Sequence, residues 1–193
     1  MLNTFVEILI SFVVLIPIFL LMNKVRFQNA KVTILYFIFA VYLSAVYLLV
    51  GMPTLQFMRF ELSLTFMPFI PMVTDIKNTI LNVFLFVPLG IMLPFLWKRY
   101  STLKDTVFFG LGMSLSIEVL QILTYRATDV NDIIANTIGV VLGYYIFRGT
   151  SRIIPSTSKF ARNNNDLSAI ILSVCIVMFF IQPYLATLYY KSA

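Results

Sequence analysis

Asn78-Thr-Ile-Leu-Asn-Val-Phe-Leu-Phe-Val-Pro-Leu-Gly-Ile-Met-Leu-Pro-Phe-Leu-Trp97 holds no charged side chain. At a helical rise of roughly 1.5 Å per residue, such a run crosses the roughly 30 Å hydrocarbon core of a bilayer. Similar runs extend from Thr4 to Met22, Val32 to Gly51, Thr106 to Thr124, Asp132 to Phe147 and Leu167 to Leu188. The chain is 60% hydrophobic and 11% charged over 193 residues, a balance that a soluble fold of this size neither buries nor keeps dissolved. The expectation is therefore an all-α, polytopic transmembrane bundle of about six helices, forming a single domain over residues 1–193. The fifth run is the weakest by length because its first turn is polar, but Gly139 and Gly143 suit it to close helix packing. The first run contains Glu7 and Pro17 and ends at Asn23-Lys24 without a small-residue cleavage signature, so it is expected to be retained as an anchor.

The net charge is +6, and ten of the fourteen basic residues fall in three alternate connections. These are Lys24, Arg26 and Lys31, then Lys98, Arg99 and Lys104, then Arg148, Arg152, Lys159 and Arg162. Clusters between apolar runs are topology signals, not a nucleic-acid surface, and they place those connections in the cytoplasm and both termini outside. Six of the eight acidic residues then belong to the outer side, while Asp105 and Asp166 read as helix N-terminal charges. With no histidine and one cysteine, Cys175, an internal disulfide, a Cys/His zinc site and a histidine base are all excluded, and no cofactor is expected.

In the outer connection Met58, Phe60, Leu62, Leu64 and Phe66 alternate with Arg59, Glu61, Ser63 and Thr65, the period of a strand. An extended segment over the outer ends of spans three to five is expected, as an interfacial loop or a lid, before Pro68 and Pro71 turn the chain toward span three.

Three polar stripes follow. Asp75, Asn78 and Asn82 share a face at the start of span three, above a kink expected at Pro88. Ser114, Glu118, Gln121 and Tyr125 share a face of span four. An ionised Glu118 facing lipid would cost about 2.5 to 3.5 kcal/mol, so it requires a partner, either a neighbouring helix or a ligand. Asp129, Asp132 and Asn136 step by three and four into span five, beside Arg126. Capping by either aspartate, with an ion pair to Arg126, accounts for one or two of these residues but not for Asn136, a turn deeper. The topology sends all three stripes to one leaflet, so Asp75, Asn78, Asn82, Glu118, Gln121, Arg126, Asp129, Asp132 and Asn136 are the candidate ligand-binding residues of an outward-facing polar pocket.

These residues also carry a family resemblance. Phe66-Met-Pro68-Phe69, Asn82-Val-Phe-Leu-Phe86-Val-Pro88-Leu-Gly90, Ser114 with Glu118 and Gln121, and then Arg126, Asp129, Asp132, Asn136, Gly139 and Gly143 make the stretch from Phe66 to Tyr144 similar to the VanZ-like family. The resemblance implies a bacterial cell-membrane protein that lowers susceptibility to teicoplanin without remodelling the peptidoglycan target. It assigns no catalytic role to any residue.

Three functions compete. A binding module would hold a polar or cationic part of a lipoglycopeptide or a lipid-linked cell-wall precursor while membrane lipid positions the tail. An enzyme on a lipid-linked envelope substrate would use Glu118 as acid or base and Asp129 with Asp132 for a divalent cation, but the chain has no nucleophile motif, phosphate loop or metal signature. A transporter would use the prolines and intramembrane carboxylates. The binding module accounts for most of these features.

Overall fold

The computed structural model describes residues 2–56, 58, 64–65, 75–124, 128–151 and 165–192. Six long helices dominate them. They are α1 (Leu2–Met22), α2 (Ala30–Leu49), α3 (Ile76–Leu96), α4 (Leu103–Gln121), α5 (Val130–Thr150) and α6, which joins Asn165–Ile176, a π-helical turn Val177–Ile181 and Gln182–Ser192. All but α4 are long and apolar enough to cross a membrane. The fifth helix, expected to be the weakest span, is a full 21 residues. The weak one is α4, which carries Lys104, Asp105 and Glu118 within 19 residues.

The helices form two compact units, Met1–Arg59 with Asn163–Ala193, and Phe60–Arg162. In the first unit, α1 ends in a π-helical turn, Asn23–Phe27, and Gln28 takes a left-handed conformation at φ 51°. The Asn23 side chain accepts from the Asn29 N–H (3.1 Å) and the Thr33 hydroxyl (2.7 Å), which closes the α1–α2 hairpin. Edge-on rings of Phe12 and Phe19 against Phe37 fill the seam between the two helices. Asp166, in the first turn of α6 as expected, also binds Arg26 at 2.7 Å and so ties α6 to the end of α1. Pro183 has no N–H to offer the Phe179 carbonyl one turn back, and the Leu55 N–H donates to that carbonyl at 3.1 Å instead.

In the second unit α3 and α5 meet backbone to backbone. A Cβ added to Gly90 would lie 2.2 Å from the Val140 carbonyl oxygen, one on Gly139 2.3 Å from that of Val83, and one on Gly143 2.1 Å from that of Val87. Gly139 and Gly143 thus do what their spacing predicts. Pro88 and Pro94 both lie inside α3, which continues as one helix to Leu96. On the other side of α5, Gly110 of α4 makes room for Val140. Thr102 caps α4 through the Asp105 N–H, with Asp105 in the first turn as expected, and the Tyr144 hydroxyl donates to the Ser101 carbonyl (3.0 Å). Pro68 and Pro71 and most of the alternating segment lie outside the described residues. Leu64–Thr65 (β1) is extended and pairs in parallel with Thr128–Asp129 (β2) at the head of α5.

Candidate functional site

The site is built where the start of α5 meets α3 and the end of α4. Asp129 is the N-cap of α5, its carboxylate oxygen Oδ1 accepting both the Asn131 N–H (2.9 Å) and the Asn131 side-chain amide (2.6 Å). A carboxylate suits a helix N-terminus because the first amides and the macrodipole favour negative charge there. The Asp129 N–H is held in turn by Glu118 Oε2 of α4 at 2.9 Å. Successive amides of an extended strand point to opposite sides. Glu118 therefore fixes one edge of β2, and β1 pairs along it at Thr128 and Asp129.

One turn into α5, Asp132 Oδ1 accepts the Asn82 amide of α3 at 2.7 Å. One turn deeper again, the Asn136 amide donates to the Ser114 hydroxyl of α4 at 2.9 Å. Glu118 and Asn136 are each only 3% exposed, and Gln121 and Asn131 are buried with them. The carbonyl oxygen of Asn136 is buried and takes no hydrogen bond among the described residues.

The structure thus joins Asn82, Glu118, Asp129, Asp132 and Asn136 across three helices, with Gln121 buried at the end of α4. Asp75 and Asn78 stay outside this group: both are exposed at the head of α3, where Asp75 caps the helix and binds the Asn78 amide. Arg126 lies outside the described residues, and with it the ion pair that the capping alternative invokes. Sequence reasoning missed Asn131, which sits at i+2 from Asp129 and so off the three-and-four stripe, yet is the residue that orients the Asp129 carboxylate. Its signal was local, an Asp-Val-Asn triplet at a helix start, where an aspartate commonly accepts from the backbone two residues on.

The match that decides the family is to VanZ/LLP1, over residues 5–154. The chain belongs to the VanZ/LLP1 family. It is also 35% identical over 74 residues to Protein VanZ of Enterococcus faecium, an alignment covering 38% of this chain and 45% of that protein, so less than half of that relative is spanned. No solved structure matches. The VanZ/LLP1 match takes in α1 and α2, outside the stretch on which the sequence resemblance rested, and stops before α6. Family and helices together make this a membrane protein.

Proposed function

We infer that this VanZ/LLP1 protein works in a bacterial cell membrane, with both termini on the outer face, as a glycopeptide-protection protein. It binds the polar part of a lipidated ligand, either a teicoplanin-like lipoglycopeptide or a lipid-linked envelope precursor. The observation that carries this reading is the set of three contacts between helices near the head of α5: Asn82 with Asp132, Glu118 with the Asp129 N–H, and Ser114 with Asn136. Polar side chains at membrane depth are expensive and tend to line a bundle interior or ligand path. Bilayer anchoring of an acyl tail would supply the affinity that a small polar site lacks.

The test is expression in a susceptible bacterium, comparing protection against teicoplanin with protection against non-lipidated vancomycin at matched membrane protein levels. Selective protection that is lost on changing Asn82, Glu118 or Asp132 supports the reading. Equal protection against both drugs, or protection indifferent to all three changes, refutes it.

A further inference from the structure

We propose that the turn between α3 and α4, with the last turn of α5, holds the headgroup of an anionic phospholipid through Lys98, Arg99, Lys104 and Arg148. This patch is independent of the contacts near the head of α5 and lies at the other end of that helix, which is expected to face the cytoplasm.

Three elements bring the cations to one place. Lys98 and Arg99 belong to the 3-10 turn Lys98–Tyr100 that follows α3, and Lys104 to the first turn of α4. The Thr106 hydroxyl donates to the Tyr100 carbonyl at 2.7 Å, which folds α4 back onto that turn. From α5, the Tyr144 hydroxyl donates at 3.0 Å to the carbonyl of Ser101, which lies between Arg99 and Lys104 in the chain. Arg148 follows Tyr144 by four residues and so stands on the same face, one turn nearer the helix end. All four cations are exposed, and none has a carboxylate partner among the described residues, where the ion pair is that of Arg26 with Asp166. The acid beside them, Asp105, accepts the Thr102 hydroxyl in the cap of α4. An excess of positive charge is left at this end of the helices.

What lies below the charges favours a lipid over a soluble anion. Phe108, one turn into α4 from Lys104, is 77% exposed, and Tyr145, just before Arg148 on α5, is 58% exposed. One turn beyond Phe108, Gly112 has nothing within 4 Å of an added Cβ. Cations above exposed apolar surface match a phosphate above acyl chains, and basic pockets on the cytoplasmic side of membrane helices recruit anionic headgroups in this way. Arg99 and Arg148 add planar forks suited to bidentate contact with phosphate.

The test counts lipids retained by the purified full chain in neutral detergent, by native mass spectrometry. Dioleoyl phosphatidylglycerol is expected to bind about tenfold or more tighter than dioleoyl phosphatidylcholine. Lys98→Gln, Arg99→Gln and Arg148→Gln together should cut that preference to about threefold or less. Lys24→Gln with Lys31→Gln, basic residues of the other unit, should leave it unchanged. Equal retention of the two lipids overturns the proposal. An equal loss from the Lys24 and Lys31 variant does so too, since the preference would then belong to basic surface in general. Displacement of phosphatidylglycerol by an equal concentration of glycerol 3-phosphate or of an oligoglutamate peptide would give the patch to a soluble anion or an acidic protein, and overturn the lipid. Should the triple variant fail to accumulate, Lys104→Gln and Arg148→Gln are each expected to lower the preference about twofold, and no change in either overturns it.

Discussion

Replacing Gly143 by alanine should be among the most damaging small changes in the chain. The new Cβ would stand 2.1 Å from the Val87 carbonyl oxygen and 2.9 Å from Gly90 Cα. Carbon and oxygen in non-bonded contact prefer about 3.3 Å or more, so α3 and α5 must separate by roughly 1 Å. Neither obstacle is a side chain that can rotate away. A gap of that size forfeits a quarter to a half of the dispersion well for each atom pair it opens, and overpacking of this kind costs about 3 kcal/mol. The better helix propensity of alanine returns about 1 kcal/mol, for a net loss of about 2 kcal/mol. Gly112 of α4 is the internal control, because nothing lies within 4 Å of a Cβ added there. Gly112→Ala should then be neutral or stabilising by up to about 1 kcal/mol. The assay is unfolding by SDS in mixed micelles, followed by helical circular dichroism. If both variants unfold at the same SDS fraction, the backbone-to-backbone contact is not what holds α3 to α5.

Glu118→Gln keeps a carbonyl acceptor for the Asp129 N–H and removes only the charge, so the variant should accumulate normally and lose most teicoplanin protection; full protection at equal expression would remove Glu118 from the function. Cysteine at position 152 should be protected from impermeant reagent in intact cells and cysteine at position 59 should be labelled, and the opposite pattern would invert the topology. With Cys175 replaced by serine, cysteines at the paired positions Leu64 and Thr128 should cross-link under mild oxidation, while failure to cross-link in folded protein would count against the β1–β2 pairing. Asp166→Asn should destabilise by about 1 kcal/mol, a modest amount because Arg26 is 38% exposed; a change as large as that of Gly143→Ala would show the pair to be buried in the membrane.

The helices were legible because an apolar run long enough to cross a bilayer has few other uses, and the glycine contact because Gly139 and Gly143 recur at one helical turn. Asn82, Asp132 and Asn136 were legible for the same periodic reason. Periodicity also misled: Asp75 and Asn78 share the face of Asn82, but the head of α3 turns them onto each other and into exposure, since a helix cap satisfies its own first turn before it reaches a neighbour. Asn131 escaped notice because its partner is the cap residue Asp129, a local contact with no helical period. The strand alternation of Met58 to Phe66 predicts extension, which Leu64 and Thr65 have, but no single-strand pattern names a partner two helices away.

The ion pair between Arg26 and Asp166 joins residues 140 positions apart and belongs to a unit that the chain enters, leaves and re-enters. Synthesis from the N-terminus therefore delivers α1 and α2 first, then every helix of the middle unit, and only afterwards α6. The hairpin of α1 and α2 must wait in the bilayer with the Arg26 guanidinium still lacking its carboxylate, while the contacts of Asn82 with Asp132, Glu118 with Asp129 and Ser114 with Asn136 need nothing made after α5. A chain interrupted before residue 165 would thus hold both partners of each contact near the head of α5 but only one partner of the Arg26–Asp166 pair.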